Sequence, residues 1–324
     1  MKNTALNEKQ NKAMIGADVS VAAELLQSGK LVAIPTETVY GLAANAFNSQ
    51  AVLNIFKAKN RPSFDPLIVH IASFDWVKRL ATVFPPKAQL LAETFWPGSL
   101  TIILPKTDLV PDVVTSGLPL VGLRMPNHST TLELLSQLDF PLAAPSANPF
   151  GYVSPTTASH VADQLGDKMD YILDGGACKI GVESTIVSFE DPEKPVILRF
   201  GGISVEQIEA VVGTVSISIS NNSNPAAPGQ LDKHYATKKI IELVNSPELL
   251  WDVDQHQHYT IGYGEGHFSF NLSPTSNLDE IASNLFVALR LADQASQPKI
   301  VVSLVTESGI GRAINDRLRR AAAR

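Results

Sequence analysis

Short apolar runs bounded by prolines, glycines and polar residues recur along the chain, and they limit the folds that it can adopt. Helical patterns lie between some of the runs: Ser49–Lys59 places Val52, Ile55 and Phe56 on one face, and an earlier helical segment ends at Gly29. The mixture predicts an α/β fold, a sheet of parallel and antiparallel pairs with flanking helices. The runs typical of buried strands are LVAIP, PLIVHI, SLTIILPK, LVGLRMP, PLAAPSA, STIVSF and PVILRF.

A change of composition divides the chain. Residues 215–237 are rich in Ser, Asn, Pro and Gly and are predicted to form a linker. Beyond them the alternation resumes with KIIELV, HYTIGYG, a long helical segment, KIVVSLV and a last helix. A length of 324 residues also favours two domains. We therefore predict a large α/β domain at 1–214 and a small, Rossmann-like α/β domain at 238–324.

Composition argues against several classes of protein. A formal net charge of -6 disfavours a chain whose main task is to grip a nucleic-acid backbone. Cys178 is the single cysteine, so an internal disulfide is excluded and a reducing compartment is expected. The N-terminal segment lacks an apolar core of signal-peptide length, and no apolar run is long enough to span a bilayer. These features predict a cytoplasmic protein without membrane contact.

A local cluster of cations stands out against this acidic background. Lys57, Lys59 and Arg61 fall within five residues, and Pro62 follows directly. A residue before proline is disfavoured in the helical conformation, so the side chain of Arg61 is expected to leave the direction of the helix. Its guanidinium could then face a cleft. Solvent is the simplest partner for Lys57. A lysine point charge beside an arginine fork is well suited to the phosphates of a nucleotide.

Two further residues lie in predicted strands where polar groups are unusual. Arg124 ends the run LPLVGLR, and a buried arginine needs an anion, either an internal carboxylate or a bound one. His70 lies in LIVHI, where a hydrogen-bonded core histidine is the default interpretation.

Three loops carry hydroxyl and amide groups beside small residues and prolines. PTETVYGL contains Thr36, Thr38 and Tyr40 at the end of a predicted strand, which is where α/β folds place ligand loops, although a plain strand-to-helix turn fits as well. The other two loops are AAPSANPFGYVSPT, with Ser146, Asn148 and Ser154, and GVESTIVSF, with Glu183, Ser184 and Thr185. The sequence has no GxxxxGK[ST] phosphate loop, no zinc-type spacing and no GxSxG motif.

Taken in order, these motifs resemble the threonylcarbamoyl-AMP synthase family, also called YrdC-like, in its long two-domain form. The resemblance implies a YrdC-like twisted mixed sheet and an enzyme that joins L-threonine, bicarbonate and ATP, with Mg²⁺ expected, and releases pyrophosphate. It also implies that a tRNA threonylcarbamoyl-transferase complex receives the product, with weak or indirect tRNA binding here. The motifs are PTETVYGLAANAF, KNRPSFDPLIVHI, FWPGSLTIILP, VGLRMP, PLAAPSANPFGYVSPT, ESTIVSF, LRFGG and PGQLDKHYAT.

The resemblance also implies roles for individual residues, with Arg124 holding the threonine carboxylate. The catalytic positions would be Lys59, Arg61, Ser146 and Asn148. The ATP positions would be Arg61, Asp65, Ser146, Ser154, Arg199 and Tyr235. The threonine positions would be Thr38, His70, Arg124, Ala144 and Ser184.

The chain departs from the family at two positions. Asp65 stands where the family has Asn, and this carboxylate should repel phosphates unless it helps to hold a metal ion, whose ligands stay unknown. Thr237 replaces a proline at the end of the linker. Tyr235 lies in the predicted linker, so a role at the nucleotide would require the linker to cover the cleft as a lid.

Two other functions are compatible with the same residues. The cations could bind RNA in a module without catalysis, whose affinity would fall steeply with salt. The chain could also be a carbamoyl-transferase accessory domain that acts on another amine. The basic C-terminal segment NDRLRRAAAR is interpreted as a solvated helix face.

Overall fold

A computed structural model describes residues 13–219, 228 and 235–323. Its first domain contains one large sheet with helices packed around it, as predicted. The strands are β1 Met14–Gly16, β2 Val32–Ile34, β3 Gly41–Asn45, β4 Ile68–His70, β5 Leu100–Pro105, β6 Leu120–Arg124, β7 Leu142–Ala143, β8 Tyr171–Leu173, β9 Thr185–Ser188, β10 Val196–Arg199 and β11 Ser216–Ile217. The helices are α1 Val19–Gln27, α2 Ser49–Lys59, α3 Phe74–Leu80, α4 Pro86–Phe95, α5 Asp112–Thr115, α6 Ser129–Ser136, α7 Ala158–Leu165 and α8 Val205–Val212.

The strand order of this sheet is β1-β8-β2-β3-β7-β4-β6-β5-β9-β10-β11. Parallel pairs include β4 with β6 and β5 with β9, whereas β5 with β6 and β9 with β10 are antiparallel. The prediction of a mixed sheet is therefore confirmed. These pairings place the carboxyl ends of β4, β6 and β10 and the amino end of β9 at the same edge of the sheet. In the register of β4 and β6, His70 lies beside Arg124.

Local sequence signals explain where α2 begins and ends, and therefore where Lys59 and Arg61 lie. The side chain of Asn48 caps the start of the helix by accepting from the amides of Gln50 and Ala51. Asn60 ends the helix in the left-handed conformation, with φ 51°, which Asn tolerates better than most residues. Lys59 is thus the last helical residue, and Arg61 begins the turn that leads to β4.

The segment PTETVYGL differs from a strand-to-helix turn. It joins β2 to β3, which pair antiparallel, with Ile34 opposite Gly41. Gly41 has the side chain of Ala144 and the carbonyl of Pro145 close by, because the segment after β7 packs directly on this turn. Among the strands that pattern analysis did not identify are β1, β3, β8 and β11, which are short or rich in small residues.

The second domain is a small parallel sheet covered by helices, which confirms the predicted Rossmann-like architecture. Its strand order is β12-β15-β13-β14, and every pair in it is parallel. The strands are β12 Ile240–Val244, β13 His258–Gly262, β14 Phe270–Asn271 and β15 Lys299–Ser303, and the helices are α9 Leu278–Gln294 and α10 Gly311–Ala322, with a 3₁₀ turn at Pro247–Leu250. Within the described ranges, no helix is long and apolar enough to cross a bilayer.

Part of the predicted linker belongs to the folded structure. β11 pairs parallel with β10 and extends the large sheet. Ala236 bridges to Tyr152, and the Thr237 hydroxyl donates to the carbonyl of Lys239 at 2.8 Å. Residues 220–227 and 229–234 of the predicted linker, including most of the PGQLDKHYAT motif, lie outside the described residues.

The two domains share a hydrophobic cluster. Val39, Val153 and Val182 of the large domain pack with apolar side chains of α9 and α10. The interpretation of the C-terminal helix as a solvated basic face was wrong: Arg317 is 0% exposed and Arg320 is 6% exposed. Both arginines can be buried because carboxylates meet them, Glu183 for Arg317 and Asp316 for Arg320.

Candidate functional site

A polar pocket opens where two sets of chain segments converge on the large sheet. One set comes from the strand ends that share an edge, and it contributes His70, Arg124, Ser184 and Arg199. The other set consists of the segments that follow β2, α2 and β7. The lining residues are Thr36, Val39, Gly41, Arg61, Ile68, His70, Arg124, Ala144, Pro145, Ser146, Glu183, Ser184, Arg199, Pro228 and Tyr235.

Arg61 lines the pocket and is held from behind by Asp65. The guanidinium lies 2.9 Å from a carboxylate oxygen of Asp65, and it also donates to the carbonyls of Asp65 and Pro66. Burial lowers the pKa of Arg61, and Asp65 opposes that effect. Burial raises the pKa of Asp65, against the charges of Arg61 and Lys59. The side chain of Asp65 is fully buried behind the arginine rather than in the pocket wall.

Lys59 and Lys57 have opposite environments although they lie two residues apart. Lys57 is exposed, as the sequence suggested, whereas Lys59 is 1% exposed. The amine of Lys59 donates to the carbonyls of Ser146, at 2.5 Å, and Asn148. Burial, and then the charge of Arg61, lower the pKa of Lys59 well below its usual range. The lysine therefore fixes the Ser146–Asn148 segment from behind the pocket wall.

Arg124 meets an internal carboxylate that sequence reasoning missed. Its guanidinium lies 2.7 Å from Glu37 and donates to the Thr38 hydroxyl at 2.9 Å. A further bond goes to the carbonyl of Gly98. The sequence feature that could have identified this carboxylate is the motif PTETVYGL, in which Glu37 stands between two threonines. Thr38 thus lies behind Arg124 and orients it, while Arg124 itself reaches the pocket.

His70 lies in the pocket wall beside Arg124, so the default interpretation as a core histidine does not describe its position. Burial, and then the charge of Arg124, lower the pKa of His70 to about 3. The ring is consequently neutral at physiological pH and can take part in hydrogen bonds without adding charge.

Arg199 and Ser184 form a further part of the pocket wall. The guanidinium of Arg199 donates to the carbonyl and the hydroxyl of Ser184 and to the carbonyl of Pro228. The Ser184 hydroxyl also lies 2.7 Å from that of Thr101. Burial lowers the pKa of Arg199 to about 10. In the part of the chain that the structure describes, Arg199 makes no ion pair with a carboxylate, unlike Arg61 and Arg124.

Tyr235 brings the predicted linker to the pocket. The side chain is fully buried, and its ring stacks on Phe286 of α9 with centroids 5.4 Å apart. Arg317 of α10 lies over the same ring at 5.2 Å. The backbone of Tyr235 has φ 63°, a left-handed conformation that the surrounding contacts maintain.

The structure thus divides the predicted site residues into two groups. Those in the pocket wall are Arg61, His70, Arg124, Ala144, Ser146, Ser184, Arg199 and Tyr235. Those that lie behind the wall and hold it are Lys59, Asp65, Thr38, Asn148 and Ser154, and all five are buried. The amide of Asn148 donates to the carbonyls of Pro149 and Tyr152, and the Ser154 hydroxyl donates to Glu183. Assignments to ATP or threonine stay predictions for both groups.

An apolar trough adjoins the polar pocket. The two share Ile68 and Pro228, so they form one continuous surface. The trough is lined by Pro66, Leu67, Ile68, Thr101, Ile103, Leu118, Leu120, Gly122, Ile186 and Pro228. The joined surface is therefore cationic and polar on the pocket side and apolar along the trough.

The described residues contain no group of three His, Cys, Asp or Glu side chains that could hold a metal ion. The carboxylate in the pocket wall, Glu183, is engaged by Ser154 and Arg317.

Comparison with protein families gives two consecutive matches. Residues 24–201 match the family described as Telomere recombination, and residues 203–323 match the family described as Threonylcarbamoyl-AMP synthase, C-terminal domain. Together the two matches cover both domains of the structure.

Individual relatives are similar over nearly their whole length. The threonylcarbamoyl-AMP synthase of Pyrococcus abyssi is 42% identical, with 94% of this chain and 93% of that protein aligned. The synthase of Bacillus subtilis is 41% identical, over 94% and 92% of the two chains. The crystal structure of Sua5 from Pyrococcus abyssi in complex with L-threonine has a TM-score of 0.87, with 41% identity over 94% of each chain.

Proposed function

This chain belongs to the threonylcarbamoyl-AMP synthase family, and we propose that it condenses L-threonine, bicarbonate and ATP to L-threonylcarbamoyladenylate and pyrophosphate. In reaction terms it is a nucleotidyltransferase that moves an adenylyl group to a carbamate oxygen. The observation that carries the proposal is the convergence of three buried arginines, Arg61, Arg124 and Arg199, on one pocket beside an apolar trough. Such a surface matches an amino-acid carboxylate, a triphosphate and a base.

The threonine end of the pocket is the wall around Arg124. Its guanidinium is oriented by Glu37 and Thr38, so a substrate carboxylate would meet a fixed donor. His70, Ala144 and Ser184 surround this position. A neutral His70 offers hydrogen bonding to a hydroxyl or amine without repelling the substrate ammonium. The small side chain of Ala144 leaves room for the substrate.

The phosphates belong beside Arg61, Ser146 and Arg199. Arg61 and Arg199 supply positive charge from two sides of the pocket, and the Ser146 segment is fixed by Lys59. The adenine base would occupy the trough beyond Ile68 and Pro228, where aliphatic side chains present a surface for a flat ring. Tyr235 lines the pocket from the linker side and would help to exclude water from a hydrolysable adenylate.

The reaction needs positioning and charge stabilisation rather than a protein nucleophile. The threonine amine adds to carbon dioxide derived from bicarbonate, giving a carbamate and releasing a proton. A carbamate oxygen then forms a bond to the α-phosphorus of ATP, and the bond to the bridging oxygen of pyrophosphate breaks. Arg61 and Arg199 would stabilise the charge that moves onto pyrophosphate. Magnesium is expected together with ATP, whose phosphate oxygens are ligands that this ion prefers.

The product would be passed to a tRNA threonylcarbamoyl-transferase complex, which transfers the threonylcarbamoyl group to the adenosine next to the anticodon. We propose a cytoplasmic location, where that tRNA is found. The net charge of -6 supports weak or indirect contact with tRNA rather than a dedicated RNA surface.

Pyrophosphate release tests the proposal directly. The protein is incubated with ATP and magnesium, with threonine and bicarbonate omitted in turn and with serine in place of threonine. We expect release that requires both co-substrates and prefers threonine. Release that occurs with serine or another amine but not with threonine would favour a carbamoyl-transferase accessory domain. Salt-sensitive RNA binding without pyrophosphate release would favour a non-catalytic RNA module.

A further inference from the structure

The C-terminal domain reaches the pocket through one buried arginine. Arg317 lies on α10 and is 0% exposed. It donates to Glu183 at 2.9 Å and to the carbonyl of Phe200 at 2.8 Å. Glu183 belongs to the large domain and forms part of the pocket wall. The second domain thus contributes a charge to the site although none of its strands touches the pocket.

Both oxygens of Glu183 are engaged by fixed donors. Oε2 accepts from Arg317, and Oε1 accepts from the Ser154 hydroxyl at 2.7 Å. Ser154 is itself held, because Arg290 of α9 donates to its carbonyl at 3.3 Å. These contacts direct the carboxylate toward the domain boundary.

Arg199 is the neighbour that this arrangement affects. It lines the same pocket and bonds to Ser184, the residue next to Glu183. Burial lowers the pKa of Arg199 to about 10, and Glu183 acts in the opposite direction, so the two groups sense each other. Even so, no carboxylate of the described residues lies within ion-pair distance of Arg199, whereas Asp65 and Glu37 are paired with the other two pocket arginines.

We propose that Arg317 is a positioning residue for nucleotide binding: by holding Glu183, it prevents that carboxylate from pairing with Arg199 and leaves the charge of Arg199 available to the phosphates. This inference rests on the proposed function, since it assumes that ATP occupies the pocket. It assigns to the C-terminal domain a specific electrostatic task at the active site. Without Arg317, the buried Glu183 would be able to pair with Arg199, which lines the same pocket, and would then compete with the nucleotide for it.

The test is the affinity for ATP, measured by calorimetry so that turnover is not required. We expect Arg317→Met to weaken ATP binding roughly tenfold, the scale of one charge-assisted contact. Adding Glu183→Gln should restore the affinity to within about threefold of the Glu183→Gln single variant, because a neutral amide does not neutralise Arg199. If Arg317→Met weakened ATP binding through lost packing or through the lost contact with the Tyr235 ring, Glu183→Gln would not restore the affinity.

Arg312 supplies a matched control on the same helix. It also joins the two domains through an ion pair, with Glu206 at 2.6 Å, but it lies away from the pocket. Arg312→Met should leave ATP affinity unchanged. If Arg317→Met is insoluble, Arg317→Gln with and without Glu183→Gln replaces it, since glutamine removes the charge that holds Glu183 but keeps a polar side chain at the domain boundary.

Two results would overturn the inference: ATP affinity that is unchanged in Arg317→Met, or a loss that Glu183→Gln does not reverse. A wild-type protein that binds ATP but makes no product would contradict the proposed function alone, and the comparison of variants would still decide the role of Arg317. A wild-type protein that fails to bind ATP would overturn both.

Discussion

Glu37 and Arg124 form an ion pair beneath the pocket, with 2.7 Å between Oε1 and the guanidinium nitrogen and with both side chains at least 94% buried. An unpaired arginine at the end of a buried strand would carry the cost of a buried charge. Glu37 offsets that cost before any substrate binds. A substrate carboxylate would therefore bind to an arginine whose orientation is already fixed.

Removing Glu37 should reveal the strength of this pair. We expect Glu37→Ala to lower the free energy of unfolding by about 3 to 5 kcal/mol, because it leaves Arg124 buried and unpaired. Urea denaturation measures the change. The double variant Glu37→Ala/Arg124→Met should lose less than the sum of the two single variants. Additive losses would show that the two side chains do not interact energetically.

Lys59 is expected to act by fixing the Ser146–Asn148 segment. Lys59→Met removes the ammonium group that donates to both carbonyls, and a displacement of the segment by about 1 Å can lower kcat about a hundredfold. Steady-state pyrophosphate release measures this. Lys57→Met is the matched control, since that lysine is exposed on the same helix, and its kcat should equal the wild-type value. Equal effects of the two substitutions would contradict the assigned role of Lys59.

Asp65 neutralises part of the charge that the pocket offers to a nucleotide. Asp65→Asn should lower the KM for ATP about fivefold, equivalent to about 1 kcal/mol of added attraction at Arg61. The same change should lower Tm, because Arg61 loses its carboxylate partner. Titration with ATP and a thermal melt provide the two readouts. A KM that rises would instead show that the carboxylate assists nucleotide binding.

The lowered pKa of His70 predicts a loss of stability in acid. In the unfolded chain His70 takes up a proton below about pH 6.5, whereas in the folded protein it does so only near pH 3. Its contribution is therefore complete above pH 6.5 and falls by about 1.4 kcal/mol for each pH unit below that. Urea unfolding at pH 7 and pH 5 should show a smaller decrease for His70→Gln than for the wild type. The same substitution at the exposed His267 is the matched control.

Sequence patterns identified the elements with strong local signals. α2 spans the predicted segment Ser49–Lys59, and α1 is followed by Gly29 at φ 79°, as a C-terminal glycine signal requires. Predictions were weaker where local signals conflict with tertiary packing. β3, GLAAN, is a strand of small residues whose conformation is fixed by pairing with β2 and β7 rather than by its own propensity.

The sequence by itself determined the α/β class, the two-domain order and the residue types of the site, because strand and helix periodicity and motif order are local properties. Only the tertiary structure decided which polar residues form the pocket wall and which lie behind it. Lys59 and Arg61 are neighbours in the chain, yet the first holds a loop and the second faces the pocket. Glu183 and Arg317 are paired although 134 residues separate them. A partner so distant in the chain is determined by long-range packing, and periodicity carries no information about it.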